Sequence, residues 1–389
     1  MTRSKNRRAT GQTRGTALGT VVAAALALPG VWQPAHAENA PESGMVGFKT
    51  LHYQDWQPGL QRIHVNSPSV YWLAPLPSQW AVEGSAVVDN LSGATPRWHT
   101  AVSSASVMHE SRRAADVKVT RYRERSAWSM SFSRSNEHDY VSNAVSAEAS
   151  LASEDNNTTW NVGLGASSDT INPVNQIVVD EHKRTREAML GVTQAWSAAD
   201  LVQVNAAYTR GEGYYNDPYK QLDQRPRARD ETAVLLRWNH YVDPLGATLR
   251  TSYRWYHDSF RINAHTLQAE WVQPVSGGIA LTPLLRLYSQ SSAYFYFDPV
   301  YDATLGAPYP AGYDVNHPPQ YLSADQRLSA FGAVTVGLKA EWAIDPVWST
   351  DASVARYEQR GNWRLGGRGS PGLAPFNASF VQVGLNRKF

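Results

Sequence analysis

The stretch Gln326-Arg-Leu-Ser-Ala-Phe-Gly-Ala-Val-Thr-Val-Gly-Leu-Lys-Ala-Glu-Trp342 separates by parity. Successive side chains of a strand point to opposite faces. Leu328, Ala330, Gly332, Val334, Val336, Leu338, Ala340 and Trp342 therefore share one face. Arg327, Ser329, Phe331, Ala333, Thr335, Gly337, Lys339 and Glu341 share the other. A helical period would mix the two sets. The first set suits lipid and the second a wet interior, the division made by a strand in the wall of a transmembrane barrel.

The same division recurs along the chain. Trp160, Val162, Leu164 and Ala166 alternate with Thr159, Asn161, Gly163, Gly165 and Ser167, and Trp128, Met130 and Phe132 alternate with Ser129, Ser131, Ser133 and Ser135. In residues 247–258, Ala247, Leu249, Thr251, Tyr253 and Trp255 oppose Thr248, Arg250, Ser252, Arg254, Tyr256 and Asp258. A soluble sandwich or propeller also alternates, and the lengths of the connections discriminate between these folds. Short turns are expected at residues 74–79, 123–126, 153–157, 197–200, 242–246, 274–278 and 344–346, with long connections at 89–113, 168–183, 211–229, 293–324 and 359–374. Short turns at one end and long loops at the other are the asymmetry of outer-membrane barrels. The segments number about sixteen strands, with fourteen as the alternative and both termini on the periplasmic side.

The two ends of the chain agree with export. Arg3, Lys5, Arg7, Arg8 and Arg14 precede an apolar run from Ala17 to Leu28, Pro29 and Gly30 break that run, and Ala35-His36-Ala37 offers small residues for cleavage before Glu38. This is the layout of a secretory signal peptide, and the apolar run is too short to span a bilayer. Residues 1–37 are read as that leader, cleaved after Ala37, and 38–389 as one barrel domain. At the other end Val381, Val383, Leu385 and the terminal Phe389 alternate with polar residues. They resemble the C-terminal strand signal read by the barrel-assembly machinery. Arg387 departs from that pattern, and an arginine so near the interface can snorkel.

Composition excludes several classes. Removing the five basic residues of the leader takes the formal charge from +2 to −3, so the apparent basicity belongs to targeting and no nucleic-acid partner is expected. With no cysteine, disulfides, zinc–thiolate sites and a cysteine nucleophile are ruled out. Fourteen Trp and nineteen Tyr beside a mean hydropathy of −0.43 fit interfacial girdles around a polar interior and fit no helical membrane protein. No Walker, dinucleotide, haem-attachment or HExxH motif is present, so no cofactor is expected.

Several segments resemble a family of exported bacterial proteins, the domain-of-unknown-function family numbered three-five-seven-zero. They are Ser92-Gly-Ala-Thr-Pro-Arg-Trp98, Asn136-Glu-His-Asp-Tyr140, Asp155-Asn-Asn-Thr-Thr159, Gly213-Tyr-Tyr-Asn-Asp-Pro-Tyr-Lys220, Ala264-His-Thr-Leu267, Arg286-Leu-Tyr-Ser-Gln290 and Asp325-Gln-Arg-Leu-Ser-Ala-Phe331. The resemblance implies an outer-membrane barrel and brings neither an established activity nor site residues. Relatives encoded near flavin-attaching enzymes and small lipoproteins imply a link to redox chemistry outside the cytoplasm.

Parity places Arg237, Arg250, Arg254, Glu270 and Arg286 on the inward face of four consecutive strands. Guanidinium groups facing a lumen can select anionic solutes or hold a plug, and the alternative is a structural ladder of charges and waters. The functional class expected is a channel or transport barrel for small polar or anionic solutes. The competing class is a non-conducting scaffold that displays loops or docks a periplasmic lipoprotein or redox partner. Enzymatic activity is not expected: His257 and Ser259 share a face at a turn with no third group to orient the histidine, and the adjacent pairs His138-Asp139 and His109-Glu110 point opposite ways on a strand. The tyrosine-rich connection 293–324, with five prolines, is expected to be a cap packed by its own aromatics. Register makes a sharper forecast: a charge at Val336 impairs assembly, whereas Thr335→Arg is tolerated.

Overall fold

The computed structural model describes residues 39–95 and 106–389. The leader segment 1–37 lies outside the described residues, as do the middle of the 89–113 connection and the side chains of His109 and Glu110.

Sixteen long antiparallel strands close one barrel. They are β1 (Met45–Gln57), β2 (Leu60–Leu76), β3 (Trp80–Thr95), β4 (Ser106–Arg123), β5 (Ser126–Asn136), β6 (Tyr140–Ala152), β7 (Thr158–Ile171), β8 (Glu181–Ala195), β9 (Asp200–Gly213), β11 (Ala228–Val242), β12 (Ala247–Asp258), β13 (Asn263–Pro274), β14 (Ile279–Gln290), β18 (Phe331–Ala343), β19 (Trp348–Arg360) and β20 (Phe376–Lys388). The short strands β10 (Asp223–Gln224) and β17 (Leu322–Ser323) pair with each other between connections, and β15 (Tyr301–Asp302) pairs with β16 (Gly306–Pro310). Each wall strand pairs with the wall strands before and after it in sequence, and the ring closes where β1 meets β20 in the register Met45↔Lys388. Closure leaves no free edge, so every wall strand has a ladder on both sides.

The turns sort by length as expected. At the end that holds both termini, the connections are residues 77–79, 124–125, 153–157, 196–199, 243–246, 275–278 and 344–347. Local hydrogen bonds set them: Asp345 Oδ1 accepts from the Val347 and Trp348 amides at 2.7 Å, and Ser197 Oγ accepts from those of Ala199 and Asp200. At the opposite end lie the connections 172–180, 214–227, 291–330 and 361–375, with short turns at 58–59, 137–139 and 259–262. The chain leaves β9 at Gly213, φ +131°, where a Cβ would meet the His182 carbonyl at 2.0 Å. Only glycine allows the loop to fold back over the wall there.

Parity holds through the wall. Trp128, Met130, Phe132, Trp160, Leu164, Leu190, Val336 and Val354 point outward and are exposed, whereas Ser129, Ala333 and Thr335 point inward and are buried. Two boundaries differ from the sequence reading: β3 runs on to Thr95 and β4 starts at Ser106, so much of the expected 89–113 connection is strand, and the start of β18 is displaced. Residues 326–328 form a 3-10 turn and the strand begins at Phe331, so Leu328 is buried in a loop cluster and does not face outward. The inner face near the long-loop end is also more apolar than a wet lumen requires. Tyr53, Ile63, Val65, Leu91 and Ala378 pack with Phe376 and Phe380 there, and Phe331 and Ala333 pack on Leu373 from the 361–375 loop.

Candidate functional site: a charged lumen under an ionic cap

The alternation that turns Leu236, Trp238 and Leu285 outward turns their neighbours Arg237 and Arg286 inward. Of the inward arginines, Arg286 is linked to Glu270 through Gln268. Arg286 Nε donates to Gln268 Oε1 at 2.8 Å, and Gln268 Nε2 donates to Glu270 Oε1 at 2.6 Å. Glu270 stands opposite Arg250 in the β12–β13 register. Arg237 donates to Gln203 at 3.3 Å, and Arg254 lies over the Tyr256 ring at 5.2 Å. Arg237 and Arg254 are exposed, so they face open space inside the barrel.

A second set of inward charges was not singled out from sequence. Glu83 pairs with Lys118 at 2.8 Å and accepts from the Tyr71 hydroxyl, Asp116 accepts from Ser85, and Glu148 and Glu187 are exposed inward. In the closed ring of sixteen strands, β12 stands across from β3 and β13 from β4. The β11–β14 arc thus sets four arginines and one glutamate across from β2 to β5, where Glu83 and Asp116 outnumber Lys118 below the mouth, and Glu148 and Glu187 flank that arc on β6 and β8. Such segregation puts an electric field across the lumen, strengthened where low-dielectric walls confine it. Spacing along one strand could not reveal this, because the two arcs meet only through closure.

The long-loop end is covered. Loops 214–227 and 291–330 are joined by the β10–β17 ladder and by a buried ionic cluster. Arg225 bridges Asp223 at 2.7 Å and Asp325 at 2.8 Å, Arg327 reaches Asp217 at 3.1 Å and also holds Asp325, and Lys220 lies 4.0 Å from Asp325. Asp325 is 0 % exposed. Burial alone would raise its pKa, but Arg327, Lys220 and Arg225 hold the carboxyl well below the usual range. Asp217 goes the other way, raised by burial against the lowering pull of Arg327 and Lys220. Removing one partner of such a cluster leaves a buried charge uncompensated, at a cost of about 3–5 kcal/mol.

Aromatic packing completes the cap. Phe260, in the 259–262 turn, is buried against Phe295 with ring centroids 5.0 Å apart and lies 4.7 Å under the Arg229 guanidinium. Tyr215, Tyr296 and Tyr321 pack on the same cluster, as expected of a tyrosine-rich cap. The cap also grips the rim. Tyr219 donates to Asp139 and accepts from the Val174 amide, and Gln326 Oε1 accepts from Gln57 at the tip of β1. Beneath it the rim carries buried carboxylates, each paired with a half-buried base: Asp89 with Arg112, Asp169 with Lys183 and Asp258 with Arg229.

The residues weighed for hydrolysis have other partners. His257 stacks on Trp255, ring centroids 6.2 Å apart, and Ser259 Oγ accepts from the Asp230 amide. Asp139 is buried in the cap while His138 is exposed. At the ring seam, Val381, Val383 and Leu385 point outward, and Gly44 and Phe389 exchange backbone hydrogen bonds of 2.9 and 3.0 Å. Arg387 lies over the Trp348 ring, 5.5 Å from its centroid.

The model of a family described as protein of unknown function (DUF3570) matches residues 103–380. No curated protein matches the chain. Among solved structures, the chain is similar to a bacterial polysaccharide outer membrane secretin, at 9% identity and TM-score 0.48 over 88% of this chain and 98% of that one. It is similar to OccD3 (OpdP) of Pseudomonas aeruginosa at 10% identity and TM-score 0.46, over 94% and 98%. It is similar to the siderophore receptor PirA from Pseudomonas aeruginosa at 11% identity and TM-score 0.41, covering 89% of this chain and 63% of the receptor, less than two thirds of its length.

Proposed function

We propose that this chain, which belongs to the DUF3570 family of proteins of unknown function, is an outer-membrane barrel that admits small polar or anionic solutes through a gated lumen. The short-turn end faces the periplasm and the capped end the exterior. The exposed apolar side chains of the wall, Met130 and Leu164 among them, meet lipid. The C-terminal segment Val381, Val383, Leu385 and Phe389 is the part offered to the barrel-assembly machinery. No cofactor and no nucleic acid enter this reading, and no catalytic role is assigned.

The observation that carries the reading is the inward, accessible placement of Arg237 and Arg254 in the same arc as Arg250 and Arg286, across from the strands that carry Glu83 and Asp116. Fixed guanidinium groups lower the barrier for anions and raise it for cations. The cap favours a second reading, a closed barrel that acts as a scaffold for a periplasmic lipoprotein or redox partner. Planar-bilayer recordings on the full chain separate the two. A channel shows anion-preferring conductance that falls toward non-selective in Arg254→Ala and Arg286→Ala. Silence, both in the wild type and after the cap is released by Arg327→Met, rejects the channel and leaves the scaffold. Conductance with unchanged selectivity removes these arginines from the site.

A further inference from the structure

On the outer face of the wall, toward the capped end, the apolar surface gives way to a group of arginines on the β5–β9 arc. β8 reads Leu190 and Ala188 outward, then Arg186 and Arg184 on the same face. Arg210 shares its face with Tyr208 on β9, and Arg134 shares its face with Phe132 on β5. Arg186 stands directly opposite Arg210 in the ladder. Like charges directly opposite destabilise a sheet. Arg210 is compensated by Glu212 at 3.0 Å and stands opposite Asp230, and Glu212 in turn stands opposite Arg184, but Arg184 and Arg186 make no hydrogen bond or ion pair among the described residues, and Arg186 has no acid opposite it on β9. Outward arginines elsewhere are better placed: Arg356 lies 4.1 Å from the Trp56 ring centroid and pairs with Glu358 at 3.4 Å, and Arg121 stacks on Trp80.

A cation facing lipid costs about 2–4 kcal/mol at the midplane and about 0–1 near the interface. The patch therefore belongs at headgroup level. The register runs Arg134↔Asn143↔Ser168↔Arg184, so Arg134 stands three strands from Arg184, about 14 Å at about 4.8 Å per strand. Asn143 and Ser168 lie between them as neutral hydrogen-bonding groups. Directly below, Phe132, Val145 and Leu164 are exposed and apolar.

We infer that this face binds an outer-leaflet glycolipid, with its phosphate groups held by Arg184 and Arg186 beside Arg210, and by Arg134 at the far edge, and its acyl chains laid on Phe132, Val145 and Leu164. Guanidinium forks match phosphate oxygens bidentately, and a bridging phosphate relieves the Arg186/Arg210 opposition. The apolar wall below favours a lipid over a free anion. The inference rests on the capped end facing the outer leaflet.

The test uses the full chain purified in detergent and native mass spectrometry with diphosphoryl lipid A, dephosphorylated lipid A and inorganic phosphate. The wild type retains diphosphoryl lipid A, and Arg184→Gln/Arg186→Gln retains at least ten-fold less, while Arg356→Gln binds as the wild type does. Arg210→Gln serves as a second variant, and retained heat-modifiability on a gel shows that each has folded. Equal retention by the double variant overturns the inference. So does equal binding of dephosphorylated lipid A, which indicates acyl contact alone, or displacement by inorganic phosphate, which indicates a soluble-anion site. Fractionation of the wild type reports on membrane placement independently, so a barrel found in the outer membrane with unaltered lipid retention defeats this inference and leaves the proposed function standing.

Discussion

The Arg327 guanidinium meets the Asp217 carboxylate at 3.1 Å across 110 positions of the chain, joining the connection after β14 to the connection after β9 over the barrel mouth. The pair is part of a cluster that also holds Asp223, Asp325, Lys220 and Arg225, so the cap is held by charge as well as by aromatic packing.

Cutting that cluster should release the cap without unfolding the wall. Arg327→Met leaves Asp217 and Asp325 without their shared partner, a loss of about 3–5 kcal/mol for a buried pair. Limited proteolysis is expected to cleave within residues 291–330 of the variant at least ten-fold faster, with heat-modifiability of the barrel retained. Equal cleavage rates would show that the aromatics alone hold the cap.

The turn 137–139, at the long-loop end, carries a pH dependence. Burial raises the Glu137 carboxyl to about 7, with Asp139 and Asp89 adding to the rise and Arg112 opposing it. A carboxyl raised in the folded state binds its proton more tightly there than in the unfolded chain, so its contribution falls as pH climbs from the ordinary glutamate value to about 7. Glu137→Gln should match the wild type in acid and exceed it above neutrality by up to about 3 kcal/mol. Urea unfolding of the two forms at pH 5 and pH 8 checks the sign. A stability difference independent of pH would remove the titration from Glu137.

Register is testable at two adjacent residues. Val336 is 56 % exposed on the outer face, and Val336→Arg should cost about 2–4 kcal/mol and impair assembly. Thr335 faces inward, opposite Arg286, so an arginine there would oppose a like charge. The tolerated substitution is therefore Thr335→Glu, which corrects the expectation drawn from parity alone. Folding yield into liposomes measures both. Failure of the glutamate variant alone would mean that the strand is misregistered.

The seam depends on a glycine. A Cβ at Gly44 would come within 2.4 Å of the Phe389 ring. Gly44→Val should displace that ring and lower the unfolding temperature, and Phe389→Ala should slow assembly by removing the terminal aromatic. Folding kinetics and heat-modifiability of the two variants report these effects. Unaltered assembly of both would leave the terminal ring without a role in closure.

The candidate site was only half legible. Arg237, Arg250, Arg254, Glu270 and Arg286 follow from parity, because a two-residue period sorts one strand without knowledge of its neighbours. Glu83, Asp116, Glu148 and Glu187 obey the same parity but gain meaning only when the ring sets the first two across from the arginines and the other two on the flank between. The cap charges were passed over because they sit in connections, where no period operates. One signal was available: the stretches carrying the family resemblance include Asp139, Asp217, Tyr219, Lys220, Asp325 and Arg327, which converge at the mouth.

By itself the sequence determined the barrel, the end that carries the short turns and the face that the alternating wall residues present, and it left the strand count between fourteen and sixteen. Those properties are local, since alternation and turn chemistry act within a few residues. Tertiary structure alone decided that two loops close one mouth, that the lumen divides into arginine-rich and acidic arcs, and that Arg186 confronts Arg210. Each of these depends on which residues closure brings together. Ring closure and loop docking join residues as far apart as Gln57 and Gln326, and no pattern read along the chain spans that separation.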